Sequence, residues 1–467
     1  MSIEHFDLAV IGSGPAGFKA ALTAAQLGKK VAIADREEMF GGVALRTGGI
    51  PNKALREAAL HVSGFRQRLF YSGDPTLAPR INRQQFADRV QEVVRREVAA
   101  ARRKLQGRDV TFLPGMARFH DAHTLDIEIS EGARRISADF ILIACGTRPS
   151  SHPGIPVDHD RILNADSIAG LDMKGEVSKT VMIAGAGSIG LEYASMASVL
   201  GMKVTVIDSR EEVLPFVDRE IAKRLLQLQR SRGMEFLLGE QIEGAGTENG
   251  RVVVRLASGQ RLQSDRLLYA GFRMANTDGL NLEAVGLPVD ARGQLGVDEQ
   301  FRTAIPHIYA AGDILGFPAL ASTSIEQGRV AASNMFGVPC PYDINSLPLG
   351  IYTIPEIGMV GRTEEQLAKE GMPYGIGVTQ FSELVKGQLI GDVTGMLKLL
   401  FDRDRHTLLG VHVIGVNASE ILHIGHVTMA LRGTMEFLRD TVFNFPTMAE
   451  AYKAAAEDGL GGLGLRT

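Results

Sequence analysis

At 467 residues the chain has room for about three domains. Hydrophobic residues make up 45% and charged residues 22%, and the net charge of −4 leaves no basic field for nucleic acid or an anionic membrane surface. Cys145 and Cys340 lie too far apart in sequence for a CxxC couple, which excludes a disulfide framework and fits a reducing cytoplasm. The opening MSIEHFDLAVIG enters a strand with no leader-like pattern, and no apolar run reaches about 18 residues. No membrane span is therefore expected, and the expected location is cytoplasmic.

Residues 6–11 form a short apolar run rich in branched side chains, followed at once by the turn GSGPAG. Helical spacing runs through 18–27, and 30–34 reads as a second strand, so the chain opens as a βαβ unit. Residues 86–105 place Val90, Val93, Val94, Val98, Ala101 and Leu105 at helical spacing. Their basic neighbours Arg95, Arg96, Arg102, Arg103 and Lys104 read as a solvated helix face, not a nucleic-acid surface. Strands are expected at 110–113, 124–129 and 140–144, the last entering the turn CGTRPS. Residues 149–156 are rich in proline and glycine and read as an inter-domain connection.

A second strand–glycine–helix unit begins at Thr180. Farther on, strands at 397–401 and 409–414 and helices at 418–431 and 449–457 suggest a separate α+β domain. The ending GLGGLGLRT reads as a flexible tail. The division expected is 1–150, 151–274, 275–345 returning to the first domain, and 346–467. The fold class expected is α/β: two Rossmann-like domains plus the C-terminal α+β domain.

The organising fact is a repeat. Strand, GxGxxG, helix, strand and acid occur twice, about 170 residues apart. In the first copy Gly12 permits the tight turn, Gly14 lets the backbone approach a pyrophosphate, and Gly17 lets helix and sheet pack. The helix start supplies N–H groups and a positive dipole end. Asp35, eighteen residues after Gly17, is placed to accept from an adenosine ribose. In the second copy Gly185, Gly187 and Gly190 repeat the pattern, and Asp208 ends the next strand. An acid there favours NAD(H), while Arg210 is a candidate partner for the 2′-phosphate of NADP(H).

A third signature runs from Thr303 through Tyr309 to Gly312 and Asp313, the TxxxxxYAxGD pattern of two-dinucleotide flavoproteins. In that pattern the aspartate meets the flavin ribityl chain. These residues resemble the pyridine nucleotide–disulfide oxidoreductase family over nearly the whole chain. Phe443 to Tyr452, the run Ile351 to Ile357, and Asn276-Thr-Asp278 are most similar to its branch of soluble, FAD-containing transhydrogenases. The resemblance implies FAD as cofactor, NAD(H) and NADP(H) as substrates, and a homodimer.

Members that reduce disulfides carry GGxCxxxxCxPSK where this chain reads GGVALRTGGIPNK from Gly41. Gly42 keeps the cofactor turn, Ala44 and Gly49 stand at the cysteine positions, and Pro51 and Lys53 are kept. The resemblance places Lys53 beside the flavin, paired with a glutamate that matches Glu192, and assigns Gly146 to the flavin-domain turn. The HPTxxE pattern that supplies those enzymes with a base reads Phe445-Pro-Thr-Met-Ala-Glu450, so thiols and base are lost together. Glu420, His423 and His426 read as interface-helix residues, and no metal is expected. Two activities fit what is left: hydride exchange between NAD(H) and NADP(H), or NAD(P)H oxidation by a quinone entering a hollow left by the cysteines. An idle flavoprotein acting as a binding subunit is the reading that Lys53 and Glu192 argue against.

Overall fold

The computed structural model describes residues 3–63, 83–130, 132–168, 178–338, 340 and 347–464. The opening apolar run becomes the strand Glu4–Ile11, the centre of the first sheet. Val31–Asp35 and then Thr111–Pro114 lie on one side of it and Gly132–Ile143 on the other, all parallel. One face is covered by the helices Pro15–Gln26, Arg83–Gln106 and Ala321–Met335 and the other by the strands Met116–Asp121 and Thr124–Ile129 with residues from 275 to 295, so both faces are buried and the strands are nearly continuous in apolar residues instead of alternating. The strand Gly132–Ile143 is much longer than the 140–144 expected. Its first half carries exposed Arg134 and Arg135 and pairs antiparallel with Thr124–Ile129, with Arg135 Nε donating to Asp126 at 2.6 Å. Its second half takes Ile308–Ala310 as a parallel partner, so the chain does return to the first sheet.

The second sheet is parallel throughout, in the order Glu235–Leu238, Lys203–Asp208, Thr180–Ala184, Arg266–Tyr269, Ile162–Asn164. The two connections between the sheets pair with each other. Thr147–Pro149 and Arg273–Ala275 form a two-stranded antiparallel ribbon. Arg273 pins it, donating to Thr147 Oγ1 at 2.8 Å and pairing with Asp166 at 3.0 Å.

The C-terminal unit is a five-stranded antiparallel sheet, ordered Leu349–Ile351, Glu356–Gly361, Leu408–Gly415, Met396–Asp402, Tyr374–Gln380. Its helices Ala418–Ala430 and Glu450–Gly462 lie close enough that a side chain at Gly358 or Gly377 would strike their backbone carbonyls at Ala418 and Ala455. Residues 459–462 are the last turn of the final helix, not a tail; Gly459 packs against Phe401 and the Gly377 backbone, which only glycine allows. Residues 465–467 lie outside the described residues, as do 341–346, where the third segment was expected to end.

Lys398, 1% exposed, ties this sheet to the second unit. Its Nζ lies 3.1 Å from Asp218, the N-cap of the helix Arg219–Ser231, and within reach of Glu220 and Glu364. No described helix is long and apolar enough to cross a membrane.

Candidate dinucleotide and flavin site

Both glycine turns have the same stereochemistry. Gly12 and Gly185 hold φ of +103° and +117°. A Cβ on either would fall inside contact of a carbonyl on the neighbouring strand, Ala144 or Ala270. A Cβ on Gly17 or Gly190 would strike the carbonyl of Gly12 or Gly185. Packing therefore accounts for these four. It does not account for Gly14 and Gly187. A side chain at Gly14 would meet only the Gly42 Cα, at 3.9 Å, and one at Gly187 nothing within 4 Å. These two glycines each cap a helix start, of Pro15–Gln26 and of Ser188–Val199, and leave open the space that a diphosphate needs.

The acids at the two strand ends act first on these turns. Asp35 Oδ2 accepts from Ser13 N at 2.7 Å and from Ser13 Oγ at 2.6 Å, and Oδ1 accepts from Arg36 N at 2.8 Å. Asp208 Oδ2 accepts from Ala186 N at 2.6 Å, the equivalent amide. Arg210 folds back on Asp208, donating from Nε at 2.9 Å and from Nη2 at 2.7 Å. Burial raises the pKa of Asp35 above its ordinary value despite the Ser13 bonds. Burial also pushes Asp208 up, but the Arg210 and Ala186 bonds outweigh it and lower the net value.

Gly42, at φ +63°, brings the next loop against Gly14, where a Cβ would meet the Gly14 Cα at 2.8 Å. Gly146, at φ +64°, has nothing within 4 Å of its Cβ position. Gly312, at φ +90°, faces Ala16 on the first fingerprint helix, and its N–H donates to the Gln327 side-chain Oε1 at 2.8 Å. Asp313 beside it accepts from Ser324 Oγ at 3.0 Å, and burial raises its pKa. Gly12, Gly14, Gly42, Gly312 and Asp313 thus gather around the start of one helix. Residues this permissive in shape, with an acid at each end, fit an FAD laid along the first sheet.

Lys53, in the first turn of the helix Ile50–Val62, meets Glu192 of Ser188–Val199 at 2.8 Å. Glu192 is buried at 6% side-chain exposure while Lys53 keeps 34%, so the pair opens on the lysine side. Two further groups hold the carboxylate: Asn52 Nδ2 at 2.6 Å and Tyr352 N at 2.8 Å. The Tyr352 ring also lies 4.6 Å from Lys53 Nζ. Asn52, where the family motif GGxCxxxxCxPSK has serine, is thus one of the two supports of the pair. Buried Arg56, one helical turn after Asn52, pairs with buried Glu356 at 2.9 Å and fastens the lysine helix to the C-terminal sheet.

The loop at the family's cysteine positions has its own geometry. The helix breaks into Gly42–Arg46 and Ile50–Val62, and the Val43 carbonyl accepts from Thr47, Gly48 and Gly49. A Cβ at Gly49 would lie inside contact of the Ala44 backbone. Position 49 thus takes no side chain in this loop conformation. Cys145 is no substitute nucleophile: burial pushes its thiol up to about 12.

The sequence pattern of the pyridine nucleotide-disulphide oxidoreductases matches residues 6–328, and that of their dimerisation domain matches 347–456. The chain belongs to this family. Its sequence is 44% identical to the soluble pyridine nucleotide transhydrogenase of Mycobacterium tuberculosis, over 98% of this chain and 97% of that one. It is 41% identical to the soluble pyridine nucleotide transhydrogenase of Chromohalobacter salexigens, over 98% and 99%. Among solved structures it is similar to LpdA of M. tuberculosis, with a TM-score of 0.89 at 25% identity over 97% of this chain and 99% of that one. It is also similar to the HOCl-induced flavoprotein disulfide reductase RclA of Escherichia coli, with a TM-score of 0.86 at 25% identity over 98% and 99%. As a pyridine nucleotide-disulphide oxidoreductase the chain is an FAD-dependent oxidoreductase of α/β fold with a C-terminal dimerisation domain.

Proposed function

We propose that this protein exchanges hydride between NAD(H) and NADP(H) as a homodimeric flavoprotein with no dithiol step. The observation that carries this reading is the complete Lys53–Glu192 pair beside a loop in which Ala44 and Gly49 supply no thiol. The names of the relatives, over almost the full length of each, support it.

In this reading Gly12, Gly14, Gly17, Asp35, Gly42, Gly146, Gly312 and Asp313 hold FAD in the segments 1–150 and 275–345. Gly185, Gly187, Gly190, Asp208 and Arg210 hold the nicotinamide nucleotide in 151–274. FAD held there would supply the two-electron hydride chemistry that links the two nicotinamides. The chain's own part is positional. The two helix starts bind diphosphates through their amides. Glu192, fixed by Asn52 and Tyr352, holds the Lys53 ammonium on the open side of the pair, where a fixed positive charge would favour the more negative state of an electron carrier. Since NADPH and NAD⁺ give NADP⁺ and NADH with no net proton, no general base is needed. That agrees with Phe445 at the family's histidine position. Phe445 is exposed together with Leu431, Phe437 and Val442 in the dimerisation domain, an apolar set that a second copy would cover.

The test is to reduce the flavoprotein anaerobically with NADPH and then mix it with thio-NAD⁺ or a soluble quinone. Fast return of the oxidised flavin band with the nicotinamide, and slow return with the quinone, is expected. Fast return with the quinone alone would overturn the reading.

A further inference from the structure

A single site that serves both nucleotides has to solve an electrostatic conflict. The carboxylate that suits the free ribose of NAD(H) repels the 2′-phosphate of NADP(H). The residues around Asp208 contain a solution. Its carboxylate carries four hydrogen bonds, two from fixed amides and two from one side chain. The amides are Ala186 N at 2.6 Å and Arg210 N at 2.8 Å. The side chain is that of Arg210, through Nε at 2.9 Å and Nη2 at 2.7 Å. Four is about the capacity of a carboxylate, so a ribose hydroxyl finds no free lone pair while Arg210 lies there.

The backbone of this corner is fixed. Gly239 N donates to the Arg210 carbonyl at 3.0 Å and Glu240 N to the Asp208 carbonyl at 3.1 Å. The Arg210 side chain is not: it is 48% exposed, against 6% for Asp208, and its bonds are to Asp208 alone among the described residues. A guanidinium has five N–H groups and spends two of them on Asp208, which leaves three directed away from the carboxylate.

We propose that Arg210 is a two-position latch over Asp208 that lets one adenosine-ribose site accept both NAD(H) and NADP(H). Folded onto Asp208, it cancels the carboxylate and offers its remaining N–H groups to a 2′-phosphate. Swung outward, it uncovers two carboxylate lone pairs for the 2′- and 3′-hydroxyls of NAD(H), while Ala186 and Arg210 amides keep Asp208 in place. The latch rests on the transhydrogenase reading only in that both nucleotides visit this site.

Equilibrium binding separates the two ideas, because it needs no hydride transfer. The FAD-loaded full-length protein is titrated calorimetrically with 2′,5′-ADP and with 5′-AMP, which differ by the 2′-phosphate. Arg210→Ala is expected to weaken 2′,5′-ADP by about tenfold or more and to leave 5′-AMP equal or tighter. Arg210→Lys, which keeps the charge but not the fork, is expected to fall between. Asp208→Asn is expected to reverse the preference, toward 2′,5′-ADP. Equal loss of both ligands in Arg210→Ala and Arg210→Lys, or no loss of either, overturns the latch and leaves Arg210 as a structural clamp. Flavin retention in each variant reports that the fold is intact.

Discussion

The two glycine-turn units share one backbone device and close it differently. In each, the acid at the end of the second strand accepts from the middle amide of the turn, Asp35 from Ser13 at 2.7 Å and Asp208 from Ala186 at 2.6 Å. In the first unit the remaining grip comes from the fully buried Ser13 hydroxyl, which also accepts from Gly41 N at 2.8 Å and so bolts turn, acid and redox-motif loop together. In the second it comes from a half-exposed arginine. The consequence is visible in the acids: Asp35 is raised by burial, whereas the Arg210 bonds outweigh burial and lower Asp208. A closure built on a buried hydroxyl suits a cofactor that stays. A closure built on a long solvated side chain suits a substrate that leaves on every turnover.

The largest test of this contrast blocks each turn at the glycine that packing does not require. Gly14→Val is expected to give a folded, colourless protein without flavin. Gly187→Val is expected to stay yellow yet resist reduction by NADH and NADPH. Absorbance spectra and stopped-flow reduction read both; loss of flavin from the second variant would mean that the units do not divide the work this way.

Next in size is the anchor found only behind the second unit. Lys398→Met leaves Asp218, which is 0% exposed, without its cation, and is expected to cost about 3–5 kcal/mol in denaturant unfolding. Burial lowers the Lys398 pKa, but Glu364, Asp218 and Glu220 outweigh it and raise the net value above that of an ordinary lysine. Its contribution is thus present below the unfolded lysine pKa and lost as pH rises through the raised folded value. Burial raises and His412 and Lys398 lower the Asp218 pKa, for a net decrease, so that part is present above the ordinary carboxylate value and lost as pH falls through the lowered one. The variant is expected to show a flatter stability–pH curve at both ends.

Removing the bridge between the units comes third. Lys53→Ala is expected to slow flavin reduction about a hundredfold with nucleotide binding nearly intact, measured by single-turnover kinetics. An unchanged rate would remove Lys53 from the chemistry. Fourth, Ser13→Ala is expected to cost roughly 1–3 kcal/mol of holoprotein stability, seen in thermal or urea unfolding, because Asp35 loses a buried donor. The smallest effect is a null one: with its thiol pushed up to about 12, Cys145 should resist alkylation at pH 8 in the native protein and react only after unfolding. Mass spectrometry of the labelled peptides decides it.

Much of the frame was legible because glycine spacing and strand-end acids are local signals. The strand Thr180–Ala184 and the helix Ala418–Ala430 fell within a residue of the sequence pattern. The long Gly132–Ile143 strand was half hidden because Arg134 and Arg135 break the apolar run, although they sit on a meander open to solvent. The strands Glu356–Gly361 and Tyr374–Gln380 were missed for another reason: their glycines weaken a strand signal but are demanded by helices packed on the sheet. At the site, Lys53 and Glu192 came from resemblance. Asn52, Tyr352 and Glu356 lie inside the motif runs, but their roles, like that of Arg56, were not legible there, since each acts through a partner more than 100 residues away. The grip of Arg210 on Asp208 lies only two residues apart in sequence, yet which way the side chain turns is a property of the fold.

The contact of Gly49 with the Ala44 main chain also sets what a dithiol would need here. A cysteine introduced at position 44 alone has no partner, and one introduced at 49 must first displace the Ala44 main chain. Neither single step regains a working dithiol, and the second costs folding before it returns anything. A dithiol in this loop therefore needs both cysteines and a shift of the main chain together, and neither change alone supplies one.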